Sequence, residues 1–116
     1  MSAGLTTHVL DTGREGPAPG VAVTLERVTE SGETETVKSA TTDDDGRLED
    51  PLLTPAEMET GTYQLLFEVG AYYREQSAES TFLETVPVRF VIDDPDDHYH
   101  VPLLLSPGGY TTYRGS

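Results

Sequence analysis

A chain of 116 residues with no cysteine has room for one modest core and cannot form disulfides or thiolate metal sites. Twenty-one acidic residues against seven basic ones give a formal net charge of −14, the wrong field for gripping nucleic acid. No apolar run approaches the roughly 18 residues of a membrane span, and the start MSAGLTTHVLD has neither a basic n-region nor an apolar h-region, so a cytoplasmic protein with no membrane partner is expected.

The acids are dispersed among alternating apolar residues rather than blocked, which reads as an acidic coat on a folded body of the kind suited to a high-salt cytoplasm. Leu5 to Asp11 reads as a strand, with Leu5, Thr7 and Val9 on one face and Thr6, His8 and Leu10 on the other. Gly13 to Gly20, with three glycines among its loop formers, is expected to be loop. Val21 to Val28 alternates strictly, turning Val21, Val23 and Leu25 inward. Glu30-Ser31-Gly32-Glu33 makes a hairpin turn into a polar strand from Thr34 to Thr41, and Asp43-Asp44-Asp45-Gly46 then turns the chain and presents Arg47.

Thr54-Pro55-Ala56-Glu57 carries the cap, proline and glutamate of a short helical turn. A strand over Thr62 to Val69 and one real helix over Ala71 to Ser80 follow. Val86 to Ile92 is a strand whose proline, Pro87, suits an edge. Asp93 to Asp97 turns into the final stretch, HYHVPLLLSPGGYTTYRGS, in which Ser106 to Gly109 is a turn between two β-prone runs. Seven to eight short strands and one short helix, with no repeat or linker, argue a single mostly-β domain over 1–116, an antiparallel β-sandwich.

The three histidines, His8, His98 and His100, all fall in expected strands. Spacing of two puts His98 and His100 on one strand face about 6.6 Å apart, a pattern open to a metal site with His8 or an acid as third ligand. The nearby Asp93, Asp94, Asp96 and Asp97 are read more simply as solvated turn residues, so no metal is assigned. Arg47 is either a turn residue paired with a neighbouring aspartate or a functional cation. There is no G-x-S-x-G elbow, no cysteine nucleophile and no glycine-rich phosphate loop. General-base hydrolysis with a cationic stabiliser remains.

HYHVPLLLSPGGYTTYRGS resembles the C-terminal signature of the transthyretin-like (prealbumin-like) 5-hydroxyisourate hydrolases, and Leu5 to Asp11 resembles their first strand. Pro19-Gly20-Val21-Ala22-Val23 and Thr42-Asp43-Asp44-Asp45-Gly46-Arg47 fit the second strand and the arginine turn, so the resemblance spans nearly the whole chain. It implies a transthyretin-like sandwich of two four-stranded sheets, a homotetramer built as a dimer of dimers, and no cofactor. It also implies 5-hydroxyisourate as the small-molecule substrate, with His8, Arg47 and His100 catalytic. Substrate binding would fall to His8, Arg47, Tyr113, Arg114 and Ser116. Of the two close histidines, His100 leads deeper into the apolar run while His98 sits against the acidic turn, and the family's catalytic histidine is the second of the H-Y-H triplet. The alternatives are a non-catalytic small-ligand carrier like transthyretin, against which His8, Arg47, His100 and the YRGS end argue, or a prealbumin-like interaction module, which a stand-alone chain whose one lysine is Lys38 fits poorly.

Overall fold

A computed structural model describes residues 3–76 and 82–115. The strands are β1 (Gly4–Asp11), β2 (Gly16–Pro17), β3 (Ala22–Val28), β4 (Thr34–Thr41), β5 (Gly61–Phe67), β6 (Val86–Ile92), β7 (His98–Ser106) and β8 (Gly109–Thr112). A 3-10 turn at Pro55–Glu57 and a helix, α1 (Val69–Glu75), complete the described elements. Two four-stranded sheets stack, one in the order β2-β1-β7-β8 and the other β4-β3-β5-β6.

Period-two alternation builds the core between them. Leu5, Val9, Leu103 and Leu105 point inward from the first sheet and Val23, Leu25, Leu65, Phe67 and Ile92 from the second, all fully buried. β4 has no such alternation and lies exposed at a sheet edge. β6 forms the opposite edge, where Pro87 removes no ladder bond that a central strand would need.

The sandwich is mostly antiparallel, as the alternating short strands suggest. One pair departs from that: β1 and β7 run parallel, in register from Gly4 opposite His98 to Asp11 opposite Leu105. The whole second sheet lies between them in the chain, which leaves length enough for the return that a parallel neighbour requires. Alternation within a strand carries no information about which strand it will pair with, or in which direction.

Several boundaries also differ from the sequence reading, among them the strand expected over Thr62 to Val69, which spans Gly61–Phe67 and leaves Val69 to the helix. The Gly13–Gly20 loop contains β2, two residues that pair with Leu10 and Asp11. The helix starts at Val69, two residues before the expected Ala71, and is described to Glu75; residues 77–80 of the expected span lie outside the described residues. Glu68 makes the last sheet bond, its N–H donating to Ala22 O at 3.0 Å, so Val69 turns into the helix while staying buried. The helix is tied to the first sheet by Asp11, a buried carboxylate that accepts Tyr72 Oη–H at 2.8 Å and the Gly13 N–H at 3.0 Å.

Candidate active site

The outward face of the first sheet collects the chemistry. Because β1 and β7 are parallel with Thr6 opposite His100 and His8 opposite Pro102, the outward residues Thr6, His8, His98 and His100 share one surface. The expected parity of the two close histidines is therefore seen, both half-buried on the same face of β7.

Arg47 joins this surface through its turn. Asp43 Oδ1 accepts the backbone N–H groups of Asp45 at 2.9 Å and Arg47 at 3.1 Å, and the Asp43 N–H donates to Arg47 O at 2.7 Å. Gly46 sits at φ +74°, and a Cβ there would fall 2.3 Å from Val9 O, so only glycine lets the turn lie flat against β1. The result is a bridge between Arg47 and His8. Asp43 thus holds the turn through the backbone. Among the described residues no carboxylate pairs with the Arg47 guanidinium, which leaves its fork of donors for another partner.

His8 is fixed by the same turn, with Nε2 2.8 Å from the Asp45 carbonyl oxygen. A carbonyl can only accept, so Nε2 carries the proton and Nδ1 is the basic nitrogen of the neutral ring. His100 is gripped on two sides, by Thr6 Oγ1 at 2.9 Å from Nδ1 and by Gly115, whose N–H donates to His100 O at 2.7 Å. Burial pushes the His100 imidazole below the ordinary histidine range, and the cationic Arg47, then His8 and His98, push the same way. A ring so placed stays neutral and able to accept a proton near neutral pH.

Between Arg47 and His100 lies a cavity of about 400 Å³, lined chiefly by Thr6, Arg47, Leu48, Asp50, His98 and His100. That volume is within the range of about 300–1,000 Å³ typical of small-molecule sites. His8 borders Arg47 but turns toward Asp45 and does not line this cavity.

The tail beyond β8 keeps the β7 register and reaches His100 at Gly115. Tyr113, 56% exposed, and Arg114 line a second cavity of about 340 Å³ where β6 and β8 leave the sandwich open. Arg114 caps the Tyr99 ring at 4.1 Å, donates to His98 O at 3.1 Å and pairs with Asp97 at 3.5 Å. It therefore touches the histidine site through the backbone of His98. Ser116 lies outside the described residues. Thr6, Leu48 and Asp50 were not singled out by the sequence reading. Thr6 could have been found from the pairing of β1 with β7, which no local pattern discloses.

Residues 5–115 match the profile of the HIUase/Transthyretin family. The chain belongs to that family. It is 51% identical over 119 residues to the 5-hydroxyisourate hydrolase of Halalkalibacterium halodurans, with all of both chains covered. Among solved structures it is similar to 5-hydroxyisourate hydrolase of Klebsiella pneumoniae, with a TM-score of 0.84, 36% identity, and 98% and 99% of the two chains covered. It also resembles (S)-allantoin synthase, with a TM-score of 0.90 and 43% identity; 99% of this chain is covered, but it spans only 44% of that protein's length. Family membership fits the observed sandwich, which superposes on these solved structures over nearly its whole length.

Proposed function

We propose that this member of the HIUase/Transthyretin family hydrolyses 5-hydroxyisourate to 2-oxo-4-hydroxy-4-carboxy-5-ureidoimidazoline, a step of urate degradation. The observation that carries the reading is the convergence of Arg47, His8 and His100 on one sheet face, in a chain alike over its full length to a named 5-hydroxyisourate hydrolase.

Neutral His100 takes a proton from water, and the hydroxide adds to the carbonyl carbon of the six-membered ring. The tetrahedral oxyanion is met by the Arg47 guanidinium, whose planar donors suit the vicinal oxygens of a purine-derived ring. The carbon–nitrogen bond then breaks. The departing ring nitrogen takes the proton back from His100, leaving a carboxylate on one side and a ureido group on the other. His8, basic at Nδ1 and beside Arg47, binds substrate and serves as the second proton carrier. Tyr113 and Ser116 contribute substrate contacts from the tail, and Arg114 orders that tail against Tyr99 and Asp97. No cofactor takes part.

The outward face of the first sheet stays open in one chain, so a homotetramer, a dimer of dimers, would close it with a neighbouring subunit. Mixing purified protein with freshly made 5-hydroxyisourate and following its ultraviolet absorbance tests the activity. Decay clearly faster than without protein is expected; an unchanged decay rate would contradict the reading.

A further inference from the structure

Thr6 stands among the histidines without a role in the chemistry above. Its Oγ1 lies 2.9 Å from Nδ1 of His100 and 3.5 Å from Nε2 of His98. The position is set by backbone register, with Thr6 opposite His100 in the parallel β1–β7 pair, and a β-branched side chain has few χ1 choices there.

The opposite edge of the His100 ring is closed by the tail. A Cβ built on Gly115 would lie 2.8 Å from His100 Cδ2 and 3.4 Å from Cγ, so the tail backbone packs directly on that edge. With Nδ1 held by Thr6 and Cδ2 covered by Gly115, Nε2 is the ring nitrogen without a hydrogen-bond partner among the described residues.

A neutral imidazole has one N–H and one lone pair, and the bond made by one nitrogen decides which of them is basic. A threonine hydroxyl has one proton to give and can accept as well. If the hydroxyl gives its proton to Nε2 of His98, 3.5 Å away, its oxygen is free to accept the Nδ1–H of His100 at 2.9 Å. The lone pair of His100 then falls on Nε2. When Nε2 takes a proton, the Nδ1–H···Oγ1 bond becomes charge-assisted and strengthens. His8, Arg47 and Asp50 also face this region, but among the described residues none of them hydrogen-bonds a ring nitrogen of His100.

We propose that Thr6 is a positioning residue that holds neutral His100 in the Nδ1–H tautomer, with His98 as the acceptor at the far end of the hydrogen-bond chain. The proposal rests on His100 being the base of the hydrolytic reading. It gives His98 a supporting place in place of a catalytic one.

Thr6→Val removes the hydroxyl at nearly constant volume, and Thr6→Ser keeps it. Long-range proton–nitrogen NMR of the histidine rings reads the tautomer with no substrate present. The wild type and Thr6→Ser should show His100 protonated at Nδ1, and Thr6→Val should move it toward Nε2–H. In the absorbance assay Thr6→Val should lose about ten- to a hundredfold in kcat with KM little changed, less than the loss known for an imposed wrong tautomer. Thr6→Ser should recover most of the rate. A wild-type His100 protonated at Nε2 overturns the proposal whether or not the valine variant folds. So does a valine variant with unchanged tautomer and kcat, or a serine variant as slow as valine. Wild-type protein that fails to hydrolyse 5-hydroxyisourate would sink the functional reading instead, and the NMR arm would still judge the tautomer.

Discussion

His100 is half-buried and faces the cationic Arg47. Its lowered pKa, first from burial and then from Arg47, has a definite sign in pH experiments. The reacting form is neutral, so kcat/KM should hold through neutral pH and fall on acidification with an apparent pKa below the ordinary value of 6.5. An acid limb centred above 6.5 would mean that His100 is not the titrating base. Stability carries the same sign: the unfolded chain takes up the proton first, so the contribution present above 6.5 is lost as pH falls through the lower folded value. The metal pattern suggested by His98 and His100 has no matching cluster, since among the described residues no three histidine, aspartate or glutamate side chains converge as a metal-binding group. The proposed mechanism uses no metal, so activity should survive chelation; loss in EDTA with recovery on adding zinc would overturn it. The shared face of His98 and His100 was legible from their spacing alone. The hydroxyl between them was not, because it arrives on a strand more than ninety residues away, with |i−j| of 94 for Thr6 and His100.

Strand alternation made most elements readable, from Leu5 to Asp11, Val21 to Val28 and Val86 to Ile92, because each buries one face against a single core. What alternation could not give was the parallel pairing of β1 with β7 or the bridge from Arg47 to His8, which depend on long-range register and on the φ of Gly46. The tail was visible as a cluster of functional groups, but the parts of its residues were not. Arg114 stacks on Tyr99 and Gly115 packs on His100, so the tail touches the histidine face through packing as well as through donors. A chain ending at Thr112 should keep its circular dichroism, since the residues removed add little apolar area to the core, yet lose turnover. Near-normal rates in that truncation would contradict a role for the tail. Gly115→Ala is the finer probe. A Cβ 2.8 Å from His100 Cδ2 must displace the ring or the tail, so the rate should drop while the melting temperature stays close to the parent's. Equal rates in the alanine variant would show that the contact is slack.

The whole molecule carries its −14 charge on a surface that, in the proposed tetramer, must bring four such chains together. At low ionic strength these charges repel across every interface. At about 1 M salt the screening length falls to roughly 3 Å, and the repulsion is largely removed. Dilute buffer should therefore favour dissociation and lower the melting temperature, and a tetramer with the same melting temperature in low and molar salt would argue against a halophilic design. In the proposed tetramer a neighbour would complete the Arg47–His100 cavity, which opens on the outer sheet face, and assembly would then matter to catalysis. The proposed mechanism turns on which histidine takes the proton from water. The absorbance assay on wild type, His100→Asn and His98→Asn side by side measures this most directly. His100→Asn should fall by about two to four orders of magnitude, the usual scale of a lost general base, and His98→Asn far less. A dead His98 variant beside a working His100 variant would contradict the account.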